Sequence, residues 1–159
     1  MSSKTLCLLV RFATISTALC GCIILVFVLP SLGGALVGAI PELQGWYLPW
    51  LIFLWMVSLP CFVVLLLVWK VSGAVKRDEV FTHVTAGRIK TAAVLLFADV
   101  GFFLLGNILF ILLNMSHPGV LLLSLLLDII VIALALLASV LSRYITKAAV
   151  LQEESDGTI

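Results

Sequence analysis

The sequence predicts an all-α integral membrane protein, a four-helix bundle built from two antiparallel helical hairpins. Three observations carry that reading. Hydrophobic residues make up 64% of the 159-residue chain and charged residues 11%, with a mean hydropathy of +1.32; soluble domains run nearer half apolar and a quarter charged. A soluble chain this short has too high a surface-to-volume ratio to hide so much apolar surface. The apolar residues also gather in four runs, about 6–29, 48–71, 89–113 and 120–141, each long enough for a hydrocarbon layer roughly 30 Å thick. Finally, the one sizeable polar interval, Lys70 to Lys90, holds five of the nine Lys and Arg residues and joins the two hairpins. One four-span domain therefore covers residues 1–159, with a tail over 142–159.

The first run has an uncharged core from Phe12 to Leu29, and Thr14, Ala18 and Cys22 fall on one narrow face of small residues. Such a face lets a second helix approach where lipid removes the hydrophobic drive for association. Pro30 is expected to end this run and open a Gly/Pro-rich outer loop from Ser31 to about Tyr47. Leu19-Cys20-Gly21-Cys22 loosely resembles a lipoprotein cleavage box, but the apolar run continues past it and Arg11 sits late for a signal peptide. A retained span is the expectation. The second run has Trp46, Tyr47, Trp50 and Trp55 at one rim and Trp69 and Lys70 at the other, the pattern of interfacial anchors. Pro60 lies mid-span, where lipid tolerates a kink if neighbours cover the freed carbonyl. The third run ends at a short turn through Asn114, Ser116, Pro118 and Gly119. The fourth is expected to continue as helix past Arg143, Tyr144 and Lys147 to the acidic end.

Basic residues occur at Lys4, Arg11, in the connector, and at Arg143 and Lys147; the predicted outer loops contain none of the nine. The positive-inside bias then places both termini in the cytoplasm.

Chemistry is sparse. Cys7, Cys20, Cys22 and Cys61 sit in apolar runs and read as small residues at helix contacts. His83 and His117 are isolated, so no metal or cofactor site is expected. No nucleophile elbow, zinc-helix motif or phosphate loop occurs, so no catalytic residue is assigned. Two acids lie inside predicted spans, Asp99 and Asp128, each about ten residues, or about 15 Å, from the nearer end. An ionised carboxylate at that depth is costly and normally faces the bundle interior. Either each acid is protonated or bonded to Asn107, hydroxyls or water and aids packing, or the two line a polar cavity that senses or conducts a proton, cation or small ligand. The short turn makes their helices neighbours, so they are able to share a site, where two carboxyls would repel each other. Asn107 itself reads as a cross-helix hydrogen bonder.

In the connector, Thr82 is placed to cap the following helix and Phe81 to staple it. Lys76 and Arg77 adjoin Asp78 and Glu79, so the interval is a mixed rim rather than a uniform basic patch. The motif F-T-x-x-x-A-x-R-I (Phe81, Thr82, Ala86, Arg88, Ile89) and the ending L-Q-E-E-S-D-G-T-I (Leu151 to Ile159) resemble a family of small bacterial membrane proteins, domain-of-unknown-function family 2975. There the tail more often carries leucine where Gly157 stands here. The resemblance implies a bacterial inner membrane as the location, a companion helix-turn-helix regulator and no known activity.

Two functional expectations result. One is a non-enzymatic regulatory or anchoring membrane protein whose cytoplasmic face (Phe81, Thr82, Arg88, Glu153, Glu154 and Asp156) contacts a small transcription regulator, without touching nucleic acid itself. The other is a small transporter or ion-sensing bundle built on Asp99, Asp128 and Asn107. Besides the lipid bilayer, no partner or oligomeric state is named by the sequence.

Overall fold

A computed structural model describes residues 3–76 and 80–156. Among these the chain is helical throughout, without strands: α1 (Ser3–Ile23), a π-turn (Ile24–Val28), α2 (Leu29–Ala39), a 3-10 turn (Pro41–Leu43), α3 (Gln44–Lys76), α4 (His83–Leu112) and α5 (Pro118–Asp156). With α1 and α2 running on as one rod, four helices are long and apolar enough to cross a membrane. The result is the all-α four-helix bundle expected. Arg77, Asp78, Glu79, Gly157, Thr158 and Ile159, and the side chains of Lys76 and Asp156, lie outside the described residues.

The helices pack in chain order, α1 on α3, α3 on α4 and α4 on α5, and the last interface is the most extensive. Among the described residues no comparable interface joins α1 to α5. The α4–α5 contact is close because its seam is small. Ala86 and Ala93 are buried on α4, and Ala135, Ser142 and Ala149 on α5, each set seven residues apart. A seven-residue repeat keeps one narrow face toward the partner, and small side chains let backbones approach. The Ser142 hydroxyl accordingly donates to the Ala86 carbonyl at 2.8 Å. The α3–α4 contact uses a different device. A Cβ added at Gly106 would overlap the Phe53 ring, which also stacks among Trp50, Phe103 and Phe110.

Two local expectations need correction and one is extended. Pro30 does not end the first helix, which continues to Ala39. Proline lacks an N–H and its ring crowds the carbonyl four residues back. The chain widens by one residue per turn just before it, so the Leu29 N–H reaches the Ile24 carbonyl. The next donor in that widened turn would be Pro30 itself, leaving the Leu25 carbonyl bare. The Trp55 indole of α3 covers it, donating at 3.0 Å. Lipid enforces this repair, because an unsatisfied carbonyl there has no water to turn to.

Second, the rim aromatics do more than anchor. Trp50 donates to the Met115 carbonyl at 2.8 Å, fastening the α4–α5 turn to α3, and the Tyr47 hydroxyl donates to the Pro30 carbonyl at 3.4 Å. Third, the α1 face that packs on α3 carries Cys7 and Thr14, the only buried residues of that helix, with Cys20 and Cys22 exposed. Gly21 continues that face, 3.3 Å from Phe62 for an added Cβ.

The α4–α5 turn ends α4 with Asn114 at φ 55°, the left-handed region. Asn114 N–H bonds the Ile111 carbonyl at 3.0 Å and Met115 N–H the Phe110 carbonyl at 2.8 Å. This pair of bonds is the Schellman closure, for which asparagine is the usual substitute for glycine.

Candidate functional site

Two cross-helix hydrogen bonds set the register of α4 against α5 and so locate the acids. Ser124 donates to Asn107 Oδ1 at 2.9 Å near the turn, and Ser142 to Ala86 at the far end. Eight residues from Asn107 toward the α4 start lies Asp99, and eight from Ser124 along α5 lies Ile132, one turn past Asp128. Counting from the other bond, thirteen residues take Ala86 to Asp99 and Ser142 to Ile129, the neighbour of Asp128. The acids therefore sit at one level of the hairpin to within a turn.

Both are buried, Asp99 at 7% exposure and Asp128 at 5%. Burial follows from position: Asp128 falls on the same seven-residue repeat as Ala135, Ser142 and Ala149, while Asp99 shares its repeat with Thr85, Ala92 and Gly106, turned toward α3. There it meets a group that sequence reasoning missed. Cys61, directly after Pro60, donates its thiol to Asp99 Oδ2 at 3.5 Å. Asp99 Oδ1 and Asp128 Oδ2 have no hydrogen-bond partner among the described residues. No Lys or Arg occurs between Lys90 and Arg143 in the sequence, so the hairpin carries no counter-charge at this depth.

Asn107 is not the partner of either acid. It is fully buried, its amide donates to the Phe103 carbonyl at 2.8 Å, and its oxygen takes the Ser124 hydroxyl. It forms a separate polar rung nearer the turn. Chemically, the acid level offers two buried carboxyls, with the thiol of Cys61, itself an exposed residue, beside one of them. That arrangement is suited to holding a proton, a water or a small cation between helices.

At the connector end, Thr82 caps α4 as expected, accepting from the Thr85 N–H at 3.2 Å. Phe81 does not staple the helix and stays 54% exposed. The position it would pack on is Ala86, which is too short and already buried beneath α5. Arg88 turns to α3, its Nη1 donating to the Lys70 carbonyl at 3.4 Å. Glu153 approaches His83 Nε2 at 3.5 Å, both side chains well exposed, so the end of α5 lies over the start of α4. Glu154 stands one residue on, on the exposed helix surface. The candidate surface is thus split, with Glu153 beside His83 and Arg88 on the α3 side.

Residues 31–159 match the family described as Protein of unknown function (DUF2975). The chain belongs to that family. The matched region takes in most of α2 and all of α3, α4 and α5, and so both acids, Cys61 and the connector, but leaves out α1 and the π-turn. No curated protein and no solved structure matches the chain.

Proposed function

We propose that this protein is a non-enzymatic membrane regulator in which the Asp99–Asp128 level is coupled to the helical end that α5 carries beyond the bilayer. One observation carries the reading: α5 is a single helix from Pro118 to Asp156, so Asp128 and Glu153 are parts of one rigid rod. At about 1.5 Å per residue, its 39 residues extend about 58 Å, far beyond the hydrocarbon thickness. Any change in what the carboxyls hold shifts or rotates this rod against α4, and the His83–Glu153 end moves with it. An intramembrane acid without a counter-charge is by default a functional feature.

The clustering of basic residues at the connector end supports a cytoplasmic placement of that end and of both termini, and the family resemblance supports a bacterial inner membrane. Exposed Phe81, Val84 and Leu151 give that end apolar contacts for a soluble protein. A small helix-turn-helix regulator is the partner that the family resemblance suggests. The test is photo-crosslinking of full-length protein in intact cells from positions 81 and 151, with and without Asp128→Asn. A discrete soluble partner whose crosslink yield changes at least threefold in the variant supports the reading. Absence of any partner at both positions, or a yield indifferent to the substitution, overturns it.

A second reading, proton or cation passage through the acid level, draws on the two unpartnered carboxyl oxygens. Flux into proteoliposomes that Asp99→Asn abolishes supports it. Flux equal to that of protein-free vesicles refutes it.

A further inference from the structure

A cleft of about 790 Å³ runs between α4 and α5 on the outer face of their hairpin, away from the acid level and near the basic rim. Lys90 borders it from α4, and Arg143 and Lys147 from α5. None of these three makes a hydrogen bond or ion pair among the described residues. Tyr144 also lines it and is 67% exposed.

The composition of the cleft is ordered along its length. From Lys90, one stripe of α4 continues through Val94 and Phe97 toward the membrane middle; from Lys147, one stripe of α5 continues through Arg143 and Tyr144 to Val140. Three cations, a phenol and the Thr146 hydroxyl therefore stand at one end, and Val94, Phe97 and Val140 line the other beside Ser139, whose hydroxyl is turned back onto the Ala135 carbonyl of its own helix. Val94 is 57%, Phe97 40% and Val140 50% exposed. An aqueous anion would use only the first half of this groove. An extended acidic protein segment would have to bury its backbone against the second half, inside the hydrocarbon, where unpaired backbone groups are prohibitive.

We propose that this cleft is a binding site for one phospholipid with an anionic headgroup. Its phosphate sits among Lys90, Arg143 and Lys147, and one acyl chain lies along Val94, Phe97 and Val140. Arginine and lysine near a membrane surface attract anionic headgroups additively, and the three cations converge from two helices, which fixes where the headgroup stops. The occupant would bridge α4 and α5 on the side opposite α3.

The test is native mass spectrometry of full-length protein from detergent, titrated with phosphatidylglycerol, cardiolipin or phosphatidylcholine. The variant is Arg143→Gln with Lys147→Gln; both residues are exposed, and circular dichroism checks its fold. The control is Lys4→Gln with Lys70→Gln, which removes the same charge elsewhere. Retention of one anionic lipid, weakened on the order of thirtyfold in the cleft variant and little changed in the control, supports the site. Equal loss in both doubles, equal retention of phosphatidylcholine, or displacement of the lipid by millimolar inorganic phosphate overturns it. So does displacement by an acidic soluble protein, which would make the cleft a protein-docking surface.

Discussion

The repair at Pro30 makes a prediction that separates a real structural dependence from coincidence. If the Trp55 indole is needed because Pro30 supplies no N–H, then Trp55→Phe matters only while residue 30 is proline. The bond is 3.0 Å long, at the ordinary optimum for N–H···O, and Trp55 is 45% exposed to the lipid side, so no water replaces it. Interhelical hydrogen bonds in membranes average about 0.6 and reach about 1.7 kcal/mol. A carbonyl left bare belongs at the upper part of that range, about 1.5 kcal/mol. In a Pro30→Ala background the restored N–H supplies the turn, and Trp55→Phe should then cost only about 0.5 kcal/mol, chiefly lost packing. The coupling is therefore about 1 kcal/mol, a roughly fivefold change in the unfolding equilibrium. The assay is a double-mutant cycle by reversible SDS unfolding in mixed micelles. Equal costs in the two backgrounds, within about 0.3 kcal/mol, would refute the account.

Other contacts invite equally direct tests. Gly106→Ala forces its new methyl into the Phe53 ring and should destabilise by about 1–3 kcal/mol, with part of the loss recovered by adding Phe53→Leu; the same SDS titration reads both. Asn107→Ala and Ser124→Ala should couple by about 0.6 kcal/mol in a cycle, and additive losses would mean the bond contributes nothing. Asn114→Val should cost about 1–2 kcal/mol because a β-branched residue is penalised in the left-handed region. Asn114→Gly, by contrast, should be neutral within about 0.5 kcal/mol by thermal unfolding.

What the sequence made legible followed from solvent and from local chemistry. The number and order of the helices came from hydropathy, because only a bilayer accommodates runs so apolar. The Thr82 cap was readable because its partner is three residues away. Pro30 was misread because a breaker rule concerns one segment, whereas the donor that rescues the helix, Trp55, sits 30 residues on in another. Phe81 was misread because a staple needs a large residue to close on, and Ala86 offers only a methyl that is already buried. The seven-residue spacing of Ala86 and Ala93 with Asn107, and of Asp128 with Ala135, Ser142 and Ala149, was present in the letters. That spacing is enough to place Asp128 and Asn107 on the α4–α5 seam. It would not have found Cys61, since nothing local tells which way α3 is rotated about its axis.

The fastening of α1 has a mechanical consequence. Arg11 lies over the Trp69 ring at 4.7 Å and its Nε donates to Ser72 at 3.3 Å. Beyond α1, the π-turn is held by Trp55. Both clasps close on α3, one at Trp69 and Ser72 and one at Trp55, like a plank bolted twice to a single beam. A push delivered to α1 therefore reaches the carboxyl level chiefly by way of the beam, and Cys61 is the point where the beam touches it.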